Sequence, residues 1–507
     1  MKNLAGLVAL AHLCILPSLF GISFDSGSPQ VEELDDLYTE RGLSCPLTSF
    51  PVSDRELLAT AERLQEDADD DQRAAVDELV GELSGKPGEY GLFYKAKTTV
   101  DADSSRSGSA SNDFGKGLKD YLGREPFLYC GLGVDRPLRG FAYIDIEARK
   151  RFYRTDQDLS VPVDGDAGGL RWEVEDHDVK RGVIAFFQDD FDLWIGRDQN
   201  RYGPSKSSLI CDPSVPYLDS IRFEYYAGPF TLSYRLSTLD DRQAVSDVTP
   251  VQPYAFTQNT ILNVVHRFQY SSPRFEVAVT GEQFVVRPQN SFQVADVLPV
   301  ISWHNADITP NNMSLILDAS GTPLPGLRLA AQVGFDDIDG NALGIHDDDT
   351  PTIDAEIVSM SIPRFLGLYL ELGHTHYLWG SFDDDVAMAR AIYRVPLMGG
   401  TQAIPMTSPY GPGSVWLRVD GARKFGDGFS VGGSVAAVGK KKGDDLFDTD
   451  YARSTKLASA HYAFQDIVAV PVAYDRDHWR LSIIPGAKVE SLNVYPSIEI
   501  SSSYALD

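Results

Sequence analysis

Beyond Glu89 the chain alternates apolar and polar residues one by one, the period of a β-strand with two unlike faces. Ala142, Ile144, Ile146 and Ala148 interleave with Tyr143, Asp145, Glu147 and Arg149. Ile221, Phe223 and Tyr225 alternate with Arg222 and Glu224 before a Gly228-Pro229 turn, after which Leu232, Tyr234 and Leu236 alternate with Thr231, Ser233 and Arg235. That is the pattern of a hairpin. Phe275, Val277 and Val279 against Arg274, Glu276 and Thr280, and Val415, Leu417 and Val419 against Trp416, Arg418 and Asp420, repeat it without an intervening helical period.

The chain before Glu89 has a helical period instead. Leu34, Leu37 and Tyr38 share one face of a helix over 31–41, which Gly42 stops. Ser53 and Glu56 have capping-box spacing ahead of Leu57, Leu58, Ala61 and Leu64, and a third helix is predicted over 70–83 from Val76, Leu79, Val80 and Leu83. The Gly85-Lys86-Pro87-Gly88 run ends these signals, so residues 24–88 read as a small helical unit.

Alternation alone does not say which face is inside: a secreted sandwich buries its apolar face, whereas an outer-membrane barrel turns it to lipid. Length arbitrates. Residues 89–507, cut into strands and connections, give about 16–20 strands, too many for one sandwich and ordinary for a membrane barrel. The expected fold is all-β, a large antiparallel transmembrane β-barrel with a small N-terminal helical bundle. The charged faces then line a lumen, because Arg222 or Arg235 turned to lipid near the midplane would cost ~2–4 kcal/mol each.

Composition narrows the partners. With 45 Lys+Arg against 73 Asp+Glu the formal charge is −28, which excludes nonspecific nucleic-acid binding and disfavours anionic headgroups. Lys2, the apolar run Leu4–Leu16 and small residues Gly21 and Ser23 read as a secretory signal over 1–23. Cys14 stands in a poor lipid-attachment box. No later stretch is apolar for the ~18–20 residues a membrane helix needs. Cys45, Cys130 and Cys211 fit neither a disulfide framework nor a zinc site; one bridge or three packed thiols are both open. The Ser-, Asp- and Gly-rich segment 101–113, the acidic segment 156–178 and the aspartate-dense run 336–349 read as surface loops.

The most specific stretch is Ile195-Gly196-Arg197-Asp198-Gln199-Asn200-Arg201-Tyr202-Gly203-Pro204, followed by Ser207-Ser208-Leu209-Ile210 and Pro216. Gly196 and Gly203 permit backbone conformations closed to other residues, Pro204 fixes φ, and Arg197 can offer bidentate hydrogen bonds to a carboxylate across the lumen. A turn that pins strand register is favoured over direct ligand contact, and Arg197 is the member best suited to touch a ligand.

This stretch resembles the Wzi-type capsule assembly family, in which a strand ending in Gly-Arg leads to an aromatic-Gly-Pro turn, a Ser-Leu segment and a Pro-containing loop. Leu34, Leu37, Gly42, Pro46, Thr48, Pro51 and Ser53 follow the same family's N-terminal pattern. Two positions depart: Tyr202 stands where Trp is usual, and Ser503-Tyr504-Ala505-Leu506-Asp507 lacks the terminal aromatic common in bacterial barrels. The resemblance implies an outer-membrane barrel with a periplasmic helical unit, a lectin-like role in holding capsular polysaccharide at the cell surface, no cofactor and no enzymatic activity.

Other motifs carry less. Trp303-His304-Asn305 and Tyr410 offer stacking faces and hydroxyl partners for a sugar, against a reading as interfacial aromatics. Asp337, Asp339 and Asn341, with Asp348 at the twelfth position, begin like a calcium loop, but Ala342 occupies its glycine position and no Glu closes it. A solvated acidic loop is the simpler reading. His374 and His376 share a strand face and could serve a metal or a hydrolase, against a polar lumen face; no Gly-x-Ser-x-Gly elbow accompanies them. Lys440-Lys441-Lys442 reads as a solvated tip. The expected function is attachment of capsular or exopolysaccharide, with surface polysaccharide and outer-membrane lipid as partners and the oligomeric state left open. The alternative is a porin or uptake channel whose open lumen is lined by Arg222, Glu224, Arg235 and Glu276.

Overall fold

The structure is a computed structural model. It describes residues 23–66, part of 73–81, 90–101, 126–151, 173–291, 311–336, 353–380, 391–441 and 461–504, with one- or two-residue gaps, together with Gln293 and Asp296. The signal reading over 1–22, Trp303, His304, Asp337, Asp339 and Asp348 lie outside the described residues.

Antiparallel strands close into one barrel when Asn493–Tyr504 pairs with Tyr90–Asp101, Tyr504 lying opposite Tyr94. Among the described residues the circuit holds nineteen strand segments, two of which are halves of one strand. Tyr462–Ala469 and Val472–Arg476 both pair with Phe429–Lys441 and Trp479–Glu490, and the break falls at Val470-Pro471, where proline has no N–H for the ladder. The barrel therefore has eighteen strands, inside the range expected from length. The last strand closes without a terminal aromatic because the whole run Ser497–Tyr504 is paired in register.

Alternation sets the two faces as expected. Ile221, Leu232, Val277, Val279 and Leu417 stand exposed on the outer wall, while Arg222, Glu224, Arg235, Glu276 and Trp416 are buried inside. The outer apolar residues form the surface a bilayer would cover, and the interior is polar. Register keeps this arrangement, since Arg222 pairs with Arg235 and Trp194, and Ile221 with Leu236 and Ile195, face matching face across three strands.

One barrel end has short connections, 188–190, 228–229, 272–274, 325–326 and 363–367, and the other has the long ones, 199–217, 240–259, 288–310 and 376–413. The helices sit at the short-turn end. Helix α1 (Pro29–Arg41) starts with proline and ends at Gly42, whose φ of 77° completes a left-handed cap. Helix α2 (Asp54–Glu66) is capped by Ser53, whose Oγ accepts the Glu56 N–H at 3.0 Å. Residues 73–81 supply a third helical piece, from which Val76 and Leu79 enter a core with Leu34, Tyr38, Leu57, Ala61 and Leu64. Gly42 lies against Pro325, and the Gly326 N–H donates to the Thr39 carbonyl at 2.7 Å, fixing α1 to a short turn. The helical unit is not a detached cap: between the helices, residues 43–53 run into the barrel.

Leu317 is exposed on the outer wall in the middle of the strand Asn311–Leu324. Leu317→Arg is expected to cost ~2–4 kcal/mol in refolding titrations into lipid vesicles, and Leu317→Ala clearly less. Equal losses would mean that this wall does not face hydrocarbon.

Candidate functional site

The lumen is occupied by two arms of the chain itself. After the strand Phe191–Asp198 the chain turns inward instead of outward. Asp198, held by Arg181 at 2.6 Å, accepts the Gln199 N–H, and Asn200 donates to the Asp198 carbonyl, so the strand end is tied into a bend. Arg201-Tyr202 then pairs with Ser49-Phe50 of the N-terminal arm, and the Gly203 N–H donates to the Thr48 carbonyl at 2.7 Å. Gly203 has φ +115°, and a Cβ there would lie 2.1 Å from Gln332 Nε2, so only glycine fits.

Ser208 closes the loop arm on itself. Its hydroxyl lies against the carbonyls of Tyr202 and Ile210, and its N–H donates to Asp212. The barrel wall grips the tip from several strands. Lys206 N–H donates to the Tyr369 hydroxyl at 2.8 Å, Ser207 N–H to Glu371 at 3.0 Å, Leu209 N–H to Gln332 at 3.3 Å, and Arg328 to the Pro204 carbonyl at 3.2 Å. Trp416 Nε1 donates to the same Glu371 at 3.0 Å.

The N-terminal arm is held the same way. Arg222 donates to the Pro51 carbonyl at 2.7 Å and pairs with Glu224 at 2.8 Å. Arg267 forks onto Asp318 at 2.5 and 2.9 Å and reaches the Thr48 hydroxyl at 3.0 Å, while Gln269 donates to the Pro46 carbonyl at 3.0 Å. Arg55, at the start of α2, ties the helix to the wall through Asp192 at 2.9 Å. Burial in this region raises the Glu56 carboxyl well above the usual range, and the neighbouring charges of Glu224 and Asp192 raise it further. Each arm thus supplies carbonyls and hydroxyls to lumen-wall side chains that are buried from solvent.

Several expectations are corrected. Arg197 does form a bidentate pair, to Asp219 at 2.6 and 2.8 Å, but Asp219 is on the adjacent strand and both residues face outward with Ile195 and Ile221. Its guanidinium lies 4.8 Å from the Tyr217 ring centroid, on the outer wall and not across the lumen. Of the motif residues, Gly196 lies in the strand Phe191–Asp198, while Tyr202, Gly203, Pro204 and Ser208 build the lumen arm. Tyr202 is fully buried, with Arg235 over its ring at 5.3 Å. Tyr410 is no interfacial aromatic: residues 405–413 fold inward, with Met406, Thr407 and Ser408 buried, and Tyr410 packs edge-on against Trp416 at 5.5 Å. Lys440 and Lys441 are not a solvated tip. Lys440 donates to the Tyr410 and Pro412 carbonyls, and Lys441 lies over the Tyr377 ring at 4.9 Å.

His374 and His376 do not share a lumen face. His374 lies 3.7 Å from Glu356 on the outer wall, and His376 sits beyond the strand end, where burial pushes its imidazole down to about 4. Cys45 and Cys211 are both free and buried. Arg222, Glu224, Arg235 and Glu276 face inward as expected, but they are covered and do not line an open pore. Sequence reading missed Gln332 and Glu371, wall residues that bond the loop arm; their place on the inward face of their strands was the available signal.

No family model matches the chain, and no curated protein matches it. Among solved structures it resembles Wzi of Escherichia coli, an outer-membrane protein involved in group 1 capsule assembly and a carbohydrate-binding β-barrel, with TM-score 0.60 and 11% identity over 96% of this chain and 100% of that one. OccAB4 of Acinetobacter baumannii gives TM-score 0.44 and 9% identity over 83% of this chain and 98% of that one. The outer-membrane channel DcaP of Acinetobacter baumannii gives TM-score 0.36 and 11% identity over 82% and 97%. The fold is that of outer-membrane β-barrels.

Gly203→Ala is expected to destabilise the loop arm by ~1–3 kcal/mol through strain at positive φ, read as faster amide exchange over 199–217 in a barrel that stays folded. Unchanged exchange would mean that the arm is not held as described. Stability also has a pH signature. Burial raises the Asp54 carboxyl to about 6, so the folded state binds more protons than the unfolded one between pH ~4 and that value. Stability should therefore fall as pH rises through this window, and Asp54→Asn should reduce the slope in denaturant titrations.

Proposed function

We propose that the protein is an outer-membrane barrel, with its short-turn end and helices in the periplasm, that binds and attaches capsular or exopolysaccharide at the cell surface and catalyses no reaction. The observation that carries this reading is the filled lumen. Along the wall from Phe191 to Phe425 the interior is packed with residues 43–53 and 199–217, and Arg222, Arg235, Glu282 and Glu371 are sealed from solvent. A barrel built to pass solutes needs a wet path, whereas one built to hold a ligand at its mouth gains rigidity from a packed interior. The full-length likeness to a carbohydrate-binding barrel supports the same reading.

A channel is the second reading. It is favoured by the strand Tyr462–Ala469, in which no residue on either face is buried.

Refolded, detergent-solubilised protein is expected to bind the organism's own surface polysaccharide saturably and to give no single-channel steps in planar bilayers. Steady conductance without binding would establish the channel instead.

A further inference from the structure

The first turn of α2 carries an acid onto an acidic patch of the wall. Register puts Asp192 directly opposite Glu224 on the inner face, a like-charge pair that is unfavourable across antiparallel strands. Glu56 of α2 joins them, one carboxylate oxygen from each residue lying within 4.8 Å of the other two. Asp192 and Glu224 are sealed from solvent. Two cations face the group. Arg55 bonds Asp192 at 2.9 Å and reaches the Gln188 carbonyl, while Arg222 bonds Glu224 at 2.8 Å and the Pro51 carbonyl at 2.7 Å. The Tyr226 hydroxyl lies 3.1 Å from Asp192 and 3.2 Å from Glu224, so its single proton serves one of them at a time, and Ser233 donates to Glu224 at 3.0 Å. Asp54 is turned to its own helix end, where its carboxylate accepts the Arg55 N–H at 2.7 Å. Among the described residues no hydrogen bond or ion pair reaches the Glu56 carboxyl.

Three carboxylates against two guanidinium groups leave one negative charge over, where an unpaired charge is costly. A proton removes that charge and needs no room. Burial, and then the charges of Glu224 and Asp192, favour the neutral Glu56 carboxyl against the opposing pull of Arg222 and Arg55. We propose that the junction of α2 with the barrel wall is a proton-dependent latch: the cluster of Glu56, Asp192 and Glu224 keeps one proton while α2 is docked, and its loss in alkaline medium releases the helix. Linkage sets the direction. The docked cluster holds a proton that the separated carboxyls give up, so docking is complete in acid and weakens as pH rises past the point where the cluster ionises. Arg222 also bonds the Pro51 carbonyl, so release of α2 reaches residues 43–53 in the lumen. The latch is independent of what the barrel binds or conducts.

The test follows amide exchange over 43–53 and 54–66 in the full-length protein in detergent, each rate divided by the intrinsic rate at that pH, with EDTA present so that no cation replaces the proton. Between pH ~7.5 and ~10, above the range in which Asp54 titrates, parent protection in both segments is expected to fall by up to about 10-fold per pH unit, while the strand Thr260–Ser271 keeps its own. Glu56→Gln has no charge to expose and should hold its protection throughout. An infrared difference spectrum, parent minus Glu56→Gln, should show a neutral-carboxyl band at pH ~7.5 that is gone at pH ~10. A flat parent profile, a Glu56→Gln profile that falls with the parent's, or the absence of the band overturns the latch. Should Glu56→Gln not fold, the parent decides alone: loss of its neutral-carboxyl band and loss of protection at the same pH support the latch, and losses at different pH overturn it.

Discussion

A barrel interior lined with ionisable side chains can be stable in two ways: it stays full of water, or every charge finds a bonded partner. Along the wall from Phe191 to Phe425 the chain takes the second course. Arg267 illustrates the constraint, since one guanidinium bonds Asp318, Thr280 and Thr48 and leaves only Nε without a partner. Thr48 comes from the N-terminal arm, so the strand's charge and the arm's position are solved by the same bonds. Withdrawing the arm would strip acceptors from Arg222, Arg267 and Gln269 together, which makes arms and wall a coupled network and not separate parts.

The two arms also depend on each other. They meet in the short pairing of Ser49-Phe50 with Arg201-Tyr202, and the Thr48 carbonyl holds Gly203. Helix α2 begins immediately after this contact, with Ser53 as its cap, so the geometry of the lumen and the docking of the helical core are set within a few residues. Arg55 and Gln188 then join α2 to a short turn of the barrel. A helical unit attached through the lumen in this manner cannot shift without moving the plug.

The barrel was legible because a period of two survives in sequence whatever packs inside, and the helices because Ser53, Gly42 and the Leu34/Tyr38 face act locally. The arms were not, since their partners lie far away in the chain: Ser205 meets Ser359, and Thr48 meets Gln269. Arg197 is instructive in the other direction. Strand parity alone puts it on the side of Leu193 and Ile195, opposite Trp194 and Asp198, and the buried Trp194 marks the inside. Its fork suits a carboxylate, as the Asp219 pair shows, and the period of two places that pair on the outer face. The corrections at Tyr410 and Lys440 have one cause: loops with Pro409, Gly411 and Gly413 fold inward, and composition reads such loops as solvated.

The distribution of charge bears on how such a barrel meets an acidic glycan. The chain carries −28 formal charges, and sequence places dense acidic runs in connecting segments, so an anionic polymer is repelled at long range and that repulsion is screened within about 8–10 Å at ordinary salt. Attraction must then come from short-range contacts inside the screening length. Among the described residues, the buried arginines Arg222, Arg267, Arg287 and Arg328 lie against carboxylates of the wall or helices, so these cations are committed to the fold.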